Sequence, residues 1–158
     1  MSRRKGRVLA FQALYSYDVG GEPIDELLKL EWAFKNSNED KDESEDKSSL
    51  DNEVESGSTQ EMTLDFARLI INGAVSHLAE IDELIKKHLS GKWDFDRINK
   101  VSLAILRISV FSLLYQKETS PSIVIDEAID IAKEYGADDA YKFINAVLDN
   151  IRKELPQE

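Results

Sequence analysis

The chain has 158 residues and no cysteine. That excludes disulfides, thiolate nucleophiles and cysteine-based metal sites, and it fits a cytoplasmic setting. Only two histidines occur, His77 and His88, eleven residues apart on one predicted helix. They lie too far apart along it for a chelating pair, and no HExxH pattern surrounds them. They read as surface or boundary side chains. The GxxxxGK[ST], GxGxxG and GxSxG signatures are missing too. Acidic residues are plentiful, but without EF-hand spacing. No catalytic residue, metal or cofactor is therefore expected, and the chain reads as a non-enzyme. No apolar run approaches the length of a membrane span. The basic N-terminus alternates apolar with polar residues, so no signal peptide is expected.

What is present begins with apolar residues, 42% of the chain, enough to bury a core in one domain over 1–158. The net charge of −11 at first argues against a nucleic-acid binder. The charge is uneven, however. Residues 37–60 hold nine carboxylates and two lysines and so supply seven of the eleven net negative charges. The first seven residues carry four cations, Arg3, Arg4, Lys5 and Arg7. Screening confines charge effects to about 8 Å at physiological salt, so a local patch can attract phosphate that the whole molecule repels.

The pattern is all-α. A helix over 3–19 carries Leu9, Ala13, Leu14 and Tyr17 on one face and stops at Gly20-Gly21. Pro23 precedes a second helix over 24–36, with Trp32 and Phe34 on its apolar side. The acidic segment 37–60 cannot bury enough surface to offset its ordering entropy and reads as a flexible insert. Residues 62–89 form one long helix, or two broken near Gly73. SGKWDFDRIN is a linker. Residues 97–116 are apolar nearly all round, which marks a buried central helix. Ser120-Pro121 caps and opens a helix that ends at Tyr135, where Gly136 is expected as a left-handed stop. Ile144, Val147, Leu148 and Ile151 define the inner stripe of a last helix over 138–154. An N-terminal half over about 1–90 and a C-terminal half over about 91–158 follow.

Two segments suggest chemistry. Arg3, Arg4, Lys5 and Arg7 would crowd the start of the first helix, suited to phosphate contact. The helix dipole disfavours cations there, which mildly supports a functional reason. A solubilising terminus gives the same composition. In the last helix, Asp139, Lys142 and Phe143 share a face. There an edge aromatic ring can stack an unpaired base, Lys142 can meet phosphate, and Asp139 can accept from a base edge. A boundary-core phenylalanine and a salt-bridged aspartate fit the same residues. Glu127 and Asp130, on the polar face of the preceding helix, could orient an arginine.

The same residues carry a family resemblance. RRKGRVLAFQALYSYDV resembles the opening helix of NusB proteins, and LAILRISVFSLL their central helix. IVIDEAIDIAKEYGADDAYKFINAVLDNIRKEL is similar to their C-terminal helix pair, with its EAI, AK, G, KF, N and VLD positions in order. The likeness spans the chain except 37–60. It implies two packed subdomains of three to four helices. It also implies a transcription antitermination factor that pairs with NusE, a ribosomal protein, and binds single-stranded boxA RNA. The pair then supports read-through by RNA polymerase in an antitermination complex, notably in ribosomal RNA operons. By position it assigns RNA contact to Arg3, Arg4, Lys5, Arg7, Asp139, Lys142 and Phe143, and partner contact to Tyr15. Ser102 and Leu103 depart from the family's acidic residue followed by a basic or polar one. Arg107 fits either RNA contact or a buried ion pair. Other readings are a helical interaction scaffold, monomeric or homodimeric, and a detached RNA-binding module of a ribosomal RNA methyltransferase.

Overall fold

The computed structural model describes residues 3–30, 57–89 and 94–155, with side chains from residue 60 in the second stretch. Seven α-helices occur among them: α1 (Arg3–Tyr15), α2 (Ile24–Leu28), α3 (Gly57–Ser76), α4 (Leu78–Lys87), α5 (Lys100–Tyr115), α6 (Pro121–Tyr135) and α7 (Ala140–Glu154). No strand is present among the described residues. The all-α expectation therefore holds.

The central helix is α5. Every residue from Ser102 to Leu113 is buried, and α5 packs against α1, α3, α4, α6 and α7. Its start is fixed by Asn99, whose Oδ1 accepts from the N–H groups of Val101 (2.9 Å) and Ser102 (3.3 Å). These are two of the donors that a helix start leaves unpaired. Outer helices cover it with single apolar stripes. Ala13 and Leu14 of α1, Val124, Ala128, Ile131 and Ala132 of α6, and Ile144, Val147, Leu148 and Ile151 of α7 are all buried, as their spacing predicts.

Several boundaries differ from expectation. The first helix passes at Tyr15 into a wider π-helical turn, Ser16–Gly20, before Gly21 adopts φ 66° and ends it. Most of the acidic insert, and residues 31–36 with Trp32 and Phe34, lie outside the described residues. The insert's last four residues, 57–60, are helical and open α3. The break in the long helix falls at His77 (φ −113°, ψ 23°) instead of Gly73. Gly73 serves packing: a Cβ there would stand 2.2 Å from the Phe111 ring, so α3 and α5 approach closely only because it is glycine. Of the expected linker, Phe95–Arg97 forms a short 3-10 turn, its N–H at Asp96 bonded to the Asp94 side chain. Ser120 gives α6 no side-chain cap; its hydroxyl faces that of Ser122 at 3.3 Å. Gly136 is extended (φ −90°, ψ 175°), so it is no left-handed stop. A Cβ there would stand 2.7 Å from the Ala132 carbonyl oxygen, which explains the glycine by lack of space. The left-handed residue of that connection is Asp139 (φ 68°), so α7 begins one residue after it, at Ala140.

Candidate nucleic-acid interface

The basic start of the chain is built on the first two turns of α1. Arg3, Arg4 and Lys5 are exposed, whereas Arg7 retains only 5% of its accessible surface. The expected patch of four surface cations is thus three exposed ones above a buried fourth. The helix also splits them. Arg3 and Arg7 turn toward α3, where their guanidinium carbons lie 5.8 and 5.4 Å from the centroid of the Phe66 ring. Gly6 lets that ring in: a Cβ there would stand 2.7 Å from Phe66 Cδ1. Cations over an aromatic face are held by its quadrupole, so Phe66 orients both arginines.

Arg4 turns the other way, toward α6. Its Nη2 donates to Glu134 Oε2 at 3.0 Å, and Nη1 lies 3.8 Å from Asp130 Oδ2. Burial pushes the Arg7 guanidinium below its ordinary pKa, opposed by the charge of Glu127 on α6. Arg7 Nε and Nη2 and Glu127 Oε2 are buried without a hydrogen-bond partner among the described residues. The carboxylates of α6 thus face N-terminal arginines, as the sequence suggested for Glu127 and Asp130. Glu134, which makes the shortest contact, was not singled out.

The second segment follows α6 directly. Asp139 is exposed and left-handed, and its carboxylate accepts an ion pair from Lys142 at 3.3 Å. Phe143 is half-buried against the core, at the edge of the inner stripe. Tyr141, between them, has Lys133 Nζ 4.8 Å from its ring centroid and Lys142 Nζ 6.0 Å away. The last turn of α6 touches both segments. Glu134 meets Arg4, the Tyr135 ring lies 5.2 Å from that of Phe11 on α1, and Lys133 covers Tyr141. The arrangement offers exposed guanidinium and ammonium groups and partly open aromatic rings on neighbouring elements.

Two further residues fall elsewhere. Tyr15 is exposed at the far end of α1, near exposed Val19. Arg107 is buried and spans to Asp82 through two 2.9 Å hydrogen bonds, with Asp18 at 3.5 Å. Of its two sequence readings, the geometry is that of the ion pair. Among the described residues, no group of three or more His, Asp or Glu side chains could hold a metal, and no helix is long and apolar enough to cross a membrane.

Sequence reasoning missed Phe66, which looked like one more member of an apolar helical stripe. The available signal was Gly6, a glycine inside a predicted helix between Arg3 and Arg7, which implies a close neighbour.

The chain is similar to known proteins along nearly its whole length. Transcription antitermination protein NusB of Treponema denticola is 43% identical over 152 residues, 96% of each chain. That of Borreliella burgdorferi is 41% identical over 150 residues, 94% of this chain and 92% of the other. Among solved structures, NusB of T. maritima superposes with a TM-score of 0.71 at 32% identity, covering 98% of this chain and 92% of that one. The NusB chain of a crystal structure of antitermination factors NusB and NusE in complex with dsRNA gives 0.70 at 31% identity and 97% of both chains. The NusB family profile matches residues 4–153. With helix order, fold and sequence agreeing along the same span, this chain belongs to the NusB family.

Proposed function

We propose that this protein is a cytoplasmic, non-enzymatic RNA-binding adaptor of transcription antitermination. It joins a NusE-type ribosomal protein, and the pair binds single-stranded boxA RNA and supports read-through by RNA polymerase, notably in ribosomal RNA operons. The observation that carries this reading is the joining of two segments at the end of α6. The cationic start of α1 and the Asp139–Phe143 segment of α7 both contact its last turn.

Arg3, Arg4 and Lys5 supply phosphate contacts, which fix register without reading sequence. Arg7, being buried, acts from beneath them. Phe143 gives a base a stacking surface, Lys142 meets the backbone, and Asp139 accepts from a base edge. Tyr15 belongs to a separate partner face at the other end of α1. A basic partner offsets this chain's net charge, so RNA affinity should rise when NusE is added. The related NusB–NusE–RNA structure supports that assembly by analogy.

The test is fluorescence anisotropy with a boxA-like and a scrambled oligonucleotide, with and without NusE. Tighter binding of the boxA-like strand in the presence of NusE is expected. Equal affinity for both strands, or no gain with NusE, refutes the reading. Phe143→Ala should weaken binding by about 1–3 kcal/mol while leaving the helical circular dichroism unchanged.

A further inference from the structure

Glu127, Asp130 and Glu134 follow one another on α6 at spacings of three and four, so they line one side of that helix. That side faces the start of α1. Glu134 accepts from Arg4 at 3.0 Å, Asp130 lies 3.8 Å from the same guanidinium, and Glu127 acts on Arg7. The neighbouring Tyr135 packs its ring on Phe11, 5.2 Å between centroids, so the end of α6 is held against α1 beside Glu134.

We propose that Glu134, assisted by Asp130, sets RNA affinity by holding Arg4 in an intramolecular ion pair that an RNA phosphate must displace. The inference rests on the RNA-binding reading above and names the competitor built into that site. Carboxylate and phosphate oxygens use the same N–H groups of a guanidinium, and here Nη2 is already engaged. A phosphate reaching Arg4 also comes within a screening length of two carboxylates, which repel it. Both partners of the pair are about half exposed, so the competition tunes affinity without abolishing it. Arg4 then differs from Arg3, whose described neighbour is the uncharged ring of Phe66.

The experiment measures affinity of the full chain with NusE for a boxA-like single-stranded RNA across a salt series. Glu134→Gln should bind about two- to fivefold tighter than wild type. Its plot of log affinity against log salt should steepen by about 0.7, the change for one added phosphate contact on a single strand. Asp130→Asn, which leaves the shorter Arg4–Glu134 bond in place, should shift both readings in the same direction by less. Asp126→Asn removes an exposed charge one turn earlier on α6 and should give less than either. Adding Arg4→Ala to Glu134→Gln should erase the gain. The proposal is overturned if neither Glu134→Gln nor Asp130→Asn tightens binding. It is equally overturned if Asp126→Asn matches Glu134→Gln, or if the gain survives loss of Arg4. Wild-type protein that binds no RNA would refute the RNA reading itself, and this one with it.

Discussion

At the scale of single residues, burial decides which cations are available to a ligand. Arg107 is buried with its guanidinium closed by two hydrogen bonds to Asp82, whereas the side chains of Arg3, Arg4 and Lys5 are exposed. Breaking a buried pair is costly to the extent that the remaining charge lacks another partner. With Asp18 at 3.5 Å left as a second carboxylate, Asp82→Ala should cost about 1.5–3 kcal/mol in urea unfolding for the lost charged hydrogen bonds; a loss near zero would show that Asp18 replaces Asp82 fully. Phe66 acts in the opposite sense, holding Arg3 and Arg7 by an uncharged face. Phe66→Ala should lower the melting temperature and also weaken RNA binding, because both guanidiniums lose their support. A variant with unchanged RNA affinity would separate Phe66 from the interface and leave it a packing residue. Neither role was visible one residue at a time. Arg107 kept two readings, since a sequence gives no partner for a buried charge, and Phe66 shared its spacing with ordinary core positions.

Among elements, the inner stripes were plain because period and burial coincide in α1, α6 and α7. Boundaries were less so. Gly73 suggested a break, yet helix interiors tolerate glycine when another helix needs the space, and the Phe111 ring occupies it. Gly73→Ala should thus destabilise by about 1–3 kcal/mol through overpacking, although alanine is the better helix former. Measured stabilisation would mean that α3 and α5 can part at little cost. The true break, at His77, carries no glycine or proline to announce it. Its ring stacks on Tyr115 at 4.3 Å, a tertiary contact made with another helix. At the head of α5, Asn99→Ala should cost about 1 kcal/mol for the lost cap, read from a shift in the denaturation midpoint.

For the whole molecule, the acidic charge is managed by pairing near the end of the chain. Lys87 and His88 on the α4 side hold Glu154 below its ordinary carboxylate range, Lys87 first. Arg152 and Lys153 do the same for Asp149. A carboxyl with a lowered folded-state pKa adds stability above its unfolded value. That stability is lost as pH falls through the folded one. Melting temperature should therefore drop on acidification below about pH 4.5, and Glu154→Gln should flatten that drop; an unchanged slope would show the pair to be inert. The two stretches proposed for RNA contact were each marked by composition and spacing, and that reading already required them to lie together. That the end of α6 joins them was not legible, since it depends on how three helices pack.

That meeting point also governs how a strand would be received. The final turn of α6 meets the opening of α1 through Glu134, the later turns of α1 through Tyr135, and the opening of α7 through Lys133. An incoming chain of nucleotides would then meet two segments joined through one helix end, with the exposed Arg4–Glu134 pair as the contact to exchange. Association should proceed in a single kinetic phase whose rate climbs in proportion to RNA concentration.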